Sequence, residues 1–278
     1  MRSGPFAVLA QRAGARHWTM GDQLRGSTAI ITGAAQGIGA GFASAFANEG
    51  ATVHLIDRQN TVVGVATEVA GATAHVGDVT DEGFVRTVVD ACPEVDILVN
   101  NAGEVWPTGP LDDWDKGIAD YDRLIGSNLR GAFLFGRAAA HHMVARGGGN
   151  IINVSSDHIK PAPETGWHHG HGAMDLYNAA KWALNGLTFD WAKALEPHGI
   201  RVNNICMGAT DTEMLRSWIG TEPDPGYLAT WMTPRGIAQV AIDLIAEGPT
   251  GRTGDNIGLW AGHPTELPPV EQGRPREI

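Results

Sequence analysis

The sequence predicts a doubly wound α/β domain built on a parallel sheet of about seven strands. Three observations predict it. Short apolar runs alternate with longer stretches of helical periodicity, as right-handed strand–helix–strand units require. Several runs are apolar at consecutive positions, as in Ile97-Leu98-Val99 and Ile151-Ile152, which marks strands covered on both faces. A glycine-rich turn stands at the first strand–helix junction.

The strands are expected at Thr28–Thr32, Thr52–Ile56, Thr73–Val76, Ile97–Asn100, Asn150–Ser155, Arg201–Cys206 and Asn256–Trp260. The helices between them are expected at Ile38–Asn48, Phe84–Ala91, Tyr121–Ala145, Met174–Leu195 and Ile237–Ala246. In such a sheet the ligand crevice lies beyond the carboxyl ends of the strands. The 278 residues fit a single domain at 25–262. An extension (1–24) precedes it, and an irregular tail rich in Pro and Glu (263–278) follows.

Hydrophobic residues make up 43% of the chain and charged residues 18%, a globular balance. The net charge of −11 argues against nucleic acid or an anionic membrane surface as a partner. No run approaches the roughly 20 apolar residues of a membrane span. The first residues lack the apolar core of a secretory signal. Two cysteines, Cys92 and Cys206, make no disulfide framework and read as free thiols in a reducing cytoplasm.

The turn reads Thr32-Gly33-Ala34-Ala35-Gln36-Gly37-Ile38-Gly39 and runs straight into a helix. Glycines there let backbone approach a pyrophosphate, and the helix N-terminus offers open N–H groups and partial positive charge. This makes the fold Rossmann-like, although the spacing differs from the commoner Gly-x-Gly-x-x-Gly. Asp57 closes the second strand at the spacing of a ribose-binding carboxylate, which favours NAD and repels the 2′-phosphate of NADP. Arg58 beside it is the complication, since a guanidinium pairs with such a phosphate. NAD is the expected cofactor and NADP the less favoured one.

Further motifs follow in order, at later strand ends and on the helices between them. They are Asp78-Val79, Asn100-Asn101-Ala102-Gly103, Ser127-Asn128-Leu129, Ser155-Ser156, and Tyr177 followed four residues on by Lys181. In this combination the chain resembles the single-domain branch of the short-chain dehydrogenase/reductase family, over roughly residues 26–262. The resemblance implies that Gly33, Gln36, Gly37, Ile38 and Gly39 form the pyrophosphate turn, and that Asp57 and Arg58 border the adenosine ribose. It implies that Asp78 and Val79 border the adenine and that Asn101, Ala102 and Gly103 line the cofactor and brace the sheet. Asn128, Ser156, Tyr177 and Lys181 match the family's catalytic tetrad. Gly208, Thr210 and Thr212 fall in the segment that meets the nicotinamide. It also implies a homotetramer.

The chain departs from the family twice. Met207-Gly208 stands where the family has Pro-Gly, which should loosen that turn and could point Met207 at the nicotinamide or substrate. Ser156 and Tyr177 are also further apart than usual, around an inserted loop Trp167-His168-His169-Gly170-His171-Gly172. This distance leaves a choice between Ser155 and Ser156, and the strand end favours Ser156. The three histidines suggest zinc, but no fourth ligand or fixed second shell accompanies them, so no metal is expected. Trp106, His158, Trp167, His169, Met207, Met214 and Trp218 are candidates for the substrate wall.

The chemistry suits these residue types. An ordinary tyrosine, with a pKa near 10, is a poor base at neutrality. Lys181 shares a helix face with Tyr177 and its positive charge should favour the phenolate. Tyr177 then acts as general base in alcohol oxidation and general acid in ketone reduction. Ser156 would orient the substrate oxygen, and Asn128 would position Lys181 through water. The expected protein is therefore an oxidoreductase moving hydride between NAD and a secondary alcohol or ketone. Two alternatives stay open: a nicotinamide-binding regulator without turnover, or an epimerase or dehydratase of the same broad family.

Overall fold

The computed structural model describes residues 21–92, 94–164, 173–219 and 224–270. Its strands are β1 (Thr28–Thr32), β2 (Thr52–Asp57), β3 (Ala72–Val76), β4 (Val95–Asn100), β5 (Gly149–Ser156), β6 (Ile200–Met207) and β7 (Asn256–Leu259). All neighbours pair in parallel, in the order β3-β2-β1-β4-β5-β6-β7. The order reverses at β1, so a crevice opens between the ends of β1 and β4. The expected seven-stranded doubly wound domain is present, and each strand lies within two residues of its expected bounds.

The helices are α1 (Gly37–Asn48), α2 (Val62–Glu68), α3 (Glu82–Asp90), α4 (Trp114–Ile125), α5 (Gly131–Arg146), α6 (Asp175–Leu195), α7 (Glu213–Ile219), α8 (Pro225–Leu228) and α9 (Pro234–Ala246). Their starts follow local chemistry. The Asp81 carboxylate accepts from the Gly83 and Phe84 N–H groups ahead of α3. Thr233 caps α9, with Pro234 at its first position. Gly147, at φ +85°, ends α5 in the left-handed region.

The expected helix Tyr121–Ala145 is longer than its periodicity suggested, and interrupted. Between α4 and α5 lies a single π-helical turn, Gly126–Arg130, which contains Asn128. α2, α7 and α8 were not expected. Each has seven residues or fewer, too short to repeat an apolar stripe.

Two apolar clusters sandwich the sheet. One joins Val53, Leu55, Ile97, Val99 and Ile205 to Phe42 and Phe46 of α1 and Ile237, Ala241 and Leu244 of α9. The other joins Ile30, Ile56, Leu98, Ile151 and Val202 to Val85 and Val88 of α3, Phe135 and Ala139 of α5, and Ala192 of α6. The alternation of strand side chains assigns successive residues to opposite clusters. Among the described residues no helix is long and apolar enough to cross a membrane.

Candidate active site

The turn after β1 is shaped by two glycines in the left-handed region, Gly33 at φ +67° and Gly37 at φ +54°. A Cβ on Gly33 would sit 2.8 Å from the Ala102 Cα, and one on Gly39 would overlap the Gly33 carbonyl. The start of α1 is left open: no side chain caps it and no acidic residue stands in its first turn. Its N–H groups and dipole therefore face the crevice, which suits a pyrophosphate. The Asn101 amide donates to the Thr32 and Gly33 carbonyls, each at 3.0 Å, tying the turn to the end of β4. Thr32 Oγ1 accepts from the Asn101 and Ala102 N–H groups, both at 3.0 Å.

The crevice has a volume of about 1000 Å³. Its walls include Gly33, Gln36, Gly37, Ile38, Asp57, Arg58, Asp78, Val79, Asn101, Ala102 and Gly103 at one end. Asn128, Ser156, His158, Tyr177, Lys181, Met207, Gly208, Thr210 and Met214 line the other, and Thr212 lies between, against Gly37. Gly39 lies behind the turn rather than on this wall.

Asp57 is held by two backbone donors, Ala35 N–H on Oδ2 at 3.0 Å and Gln59 N–H on Oδ1 at 2.9 Å. A carboxylate has about four lone-pair sites, so each oxygen can still accept from a ribose hydroxyl. Arg58 reaches across to Glu104, with Nη1 2.8 Å from Oε1. The second Glu104 oxygen takes Arg123, through Nε at 3.1 Å. Glu104 was not expected from the sequence. It follows the Asn-Ala-Gly motif directly, but only the fold brings it opposite Arg58.

At the other end the Ser156 hydroxyl lies beside the Tyr177 phenol and favours its ionised form. It also donates to Asp157 Oδ1 and accepts from the His158 N–H, each at 3.2 Å. Ser155 Oγ is buried without a hydrogen-bond partner among the described residues, whereas Ser156 is the residue beside Tyr177. The His158 ring stands edge-on to Tyr177 with centroids 5.7 Å apart, anchored by Nδ1 to Asn178 Oδ1 at 2.7 Å. Asp157 also went unnoticed in the sequence. It packs against Gly208, where a Cβ would lie 2.6 Å from its Oδ2. Burial raises its carboxyl, opposed by His158 and by the Ser156 hydrogen bond.

Lys181 is 5% exposed, and its Nζ donates to the Val154 carbonyl at 2.9 Å while lying 5.5 Å from the Tyr177 ring centre. Burial pushes the Tyr177 phenol up to about 12 and the Lys181 ammonium down to about 8. The expected lowering of Tyr177 by Lys181 is thus outweighed in the protein alone, because desolvation of the phenol dominates and the ammonium is drawn back onto Val154. Asn128 donates through its amide to the Glu104 carbonyl at 2.8 Å and the Leu124 carbonyl at 3.0 Å. Its buried Oδ1 has no hydrogen-bond partner among the described residues and faces Gly103, with Lys181 Nζ on the same side.

Three further expectations meet the structure. The turn after β6 is not loose. Gly208 N–H donates to the Leu259 carbonyl at 3.0 Å and Met232 N–H to the Ala209 carbonyl at 3.0 Å, while Met207 is buried on the crevice wall. Thr212 faces Gly37 and caps α7, accepting from the Leu215 N–H at 3.2 Å. Trp106 does not line the crevice, because Arg123 stacks on it at 4.5 Å. Trp167, His169 and the side chain of Trp218 lie outside the described residues.

With this geometry in place, comparison with known proteins is decisive at one level. The sequence profile described as short chain dehydrogenase matches residues 27–223. The chain belongs to the short-chain dehydrogenase/reductase family. Short-chain dehydrogenase relatives of differing specificity resemble it. A galactitol 2-dehydrogenase of Agrobacterium fabrum is 38% identical over 69% of this chain and 73% of its own. A 3-alpha-(or 20-beta)-hydroxysteroid dehydrogenase of Mycobacterium tuberculosis is 33% identical over 87% of this chain and 91% of its own. A putative NAD(P)-dependent gluconate 5-dehydrogenase of Beutenbergia cavernae has a crystal structure with bound NADP. It superposes with a TM-score of 0.74 at 26% identity, covering 87% of this chain and 97% of that one. The protein is accordingly a hydride-transfer oxidoreductase of alcohols and ketones that uses a nicotinamide cofactor.

Proposed function

We propose that the protein is an NAD-preferring dehydrogenase of polyhydroxylated secondary alcohols, with Tyr177 as its general acid and base. The observation that carries this reading is the convergence of Ser156, Tyr177 and Lys181 on one end of the crevice, with Asp57 at the other. When bound, the nicotinamide exchanges the hydride and, in its oxidised form, brings positive charge beside Tyr177. Ser156 holds the substrate oxygen against the phenol. Tyr177 takes the hydroxyl proton in oxidation and returns it in reduction. Lys181 stabilises the phenolate from behind, and the unpaired Asn128 Oδ1 accepts a water that links Lys181 to solvent.

The NAD preference is supported by two features. Asp57 presents negative charge where NADP would carry its 2′-phosphate, and Glu104 occupies the guanidinium of Arg58 that would otherwise pair with it. The substrate class is supported by Asp157 and His158, which flank Ser156. A carboxylate there accepts hydrogen bonds from vicinal hydroxyls and repels acidic substrates, and an apolar steroid would desolvate it without supplying a donor. The galactitol dehydrogenase points the same way. A homotetramer is supported by family membership and by Phe133 and Val144, apolar and exposed on α5. Light scattering reads its mass. The buried free thiols Cys92 and Cys206 fit a cytoplasmic setting.

The test is an initial-rate assay with NAD and NADP over a panel of polyols, sugar acids and hydroxysteroids. NAD reduction with a polyol is expected to dominate. Asp57→Ala should lower kcat/KM for NAD by about 10- to 100-fold and leave NADP nearly unchanged, a loss of ~1.4–2.8 kcal/mol. Glu104→Gln should raise NADP use by releasing Arg58. Equal losses with both cofactors would overturn the preference.

A further inference from the structure

At the outer edge of the sheet, away from Ser156, Tyr177 and Lys181, three side chains of metal-binding type meet. His54 lies early in β2, His75 late in β3, and Cys92 just after α3. His54 Nδ1 and His75 Nε2 are 3.0 Å apart. Their rings lie 23° from parallel with centroids 5.3 Å apart. The Cys92 sulfur and the two imidazoles each offer a ligand atom, and these atoms all lie within 4.8 Å of one another. Cys92 is 2% exposed, whereas both histidines are half-buried and give an entry path from solvent.

We infer that His54, His75 and Cys92 form a binding site for a borderline-soft divalent transition ion of the zinc type. The donor set decides the class. Two imidazoles and a thiolate match zinc and exclude calcium and magnesium, which take oxygen ligands. The dimensions also match. Zinc–nitrogen bonds of about 2.0 Å and zinc–sulfur bonds of about 2.3 Å put tetrahedral ligand atoms roughly 3.3–3.6 Å apart. The two nitrogens need to separate slightly and the sulfur to close in, which rotation about χ1 and χ2 supplies. A fourth position remains for water on the solvent side.

The three ligands come from β2, β3 and the end of α3, so an ion here would staple the edge strand β3 and the end of α3 to β2. At about 3.3 Å per strand residue, His54 lies roughly 10 Å below Asp57. The ion therefore stabilises the sheet edge and lies away from Ser156, Tyr177 and Lys181. Binding is balanced by loss of one proton from the Cys92 thiol, which passes to the buffer as the sulfur–metal bond forms.

The test uses the full chain, reduced and stripped of metal with a chelator, then titrated with Co²⁺ and competed with Zn²⁺. The expected result is one equivalent bound, with a near-ultraviolet thiolate-to-cobalt charge-transfer band and the visible bands of four-coordinate cobalt. Zn²⁺ should remove both and raise Tm. Cys92→Ser and, separately, His75→Gln should each lower affinity by about 100-fold or more while turnover stays at the parent level. Should the buried Cys92→Ser variant fold poorly, His54→Asn and His75→Gln carry the test. Absence of a thiolate band at stoichiometric cobalt would overturn the site. So would a band that survives Cys92→Ser, which would assign the sulfur to Cys206. Binding without a thiolate band would move the ion to His168, His169 and His171 and equally overturn it.

Discussion

On the face of the sheet that meets α1 and α9, the core is packed mainly by apolar side chains such as Phe42, Phe46, Ile205 and Leu244. On the face that meets α5 and α6, a line of amides runs through the interior at neighbouring strand positions. Asn100 of β4 donates to Asn153 of β5 at 2.9 Å, and Asn153 donates to Thr188 of α6 at 2.9 Å. Thr188 donates to Asn204 of β6 at 2.8 Å, and Asn204 donates to Asn256 of β7 at 2.8 Å. Buried amides are costly unless paired, and here nearly every one is. The difference assigns the two faces different work. The first holds the sheet together by burial alone. The second fixes α6 against β5 by directional bonds, and the residue after Asn153 is Val154, whose carbonyl holds Lys181.

Substitutions on the two faces should have different consequences. The largest effect belongs at the tip of the polar face. Tyr177→Phe should reduce kcat by about 10²- to 10⁴-fold while cofactor binding and Tm stay close to the parent. Retention of most activity would remove the tyrosine mechanism. On the apolar face, Phe42→Ala should cost ~3–5 kcal/mol of stability by opening a cavity, measured by denaturant unfolding. The surviving folded fraction should turn over normally, and a matching fall in kcat would mean that the faces are not separable.

Next comes Asn204→Leu, which removes the amide that accepts from the Thr188 hydroxyl and donates to Asn256 Oδ1. It should cost about 1–3 kcal/mol and also lower kcat, because α6 loses its register on β5 and β6. The smallest effect is expected for Asp157→Asn. Burial raises the Asp157 carboxyl above its unfolded value, so its ionised form costs stability above the folded pKa, and that cost disappears as pH falls below the unfolded value. The amide should therefore raise stability by ~1 kcal/mol in alkaline buffer, with the gain fading toward acid pH, and weaken polyol KM. A gain independent of pH would show that the carboxylate is not what costs stability there.

The contrast also explains what could be read in the sequence. The strands and the long helices were legible because apolar periodicity is a local signal, and Gly33, Gly37 and Asp57 because a phosphate turn has fixed spacing. The amide line has no such signature. Asn100, Asn153, Asn204 and Asn256 are scattered over more than 150 residues and become neighbours only through strand order. Glu104 and Asp157 were hidden for the same reason, since their partners Arg58 and Gly208 are distant in the chain. Trp106 misled because an aromatic beside a cofactor motif resembles a substrate wall, while Arg123 in fact holds it outside. The rise of the Tyr177 phenol was not legible because spacing on a helix reports proximity and not desolvation.

The π-helical turn at Gly126–Arg130 gives the long α4–α5 rod a phase. One extra residue in a turn rotates everything beyond it by about 100° relative to an unbroken α-helix. Asn128 sits inside that extra turn and its amide returns to the Leu124 carbonyl. The rod is therefore two helices set at different angles about one axis. α4 is keyed to Glu104 through Arg123, and α5 is keyed to the core through Phe135 and Met143. Removing a single residue there would leave both halves helical, yet one of the two would point the wrong way.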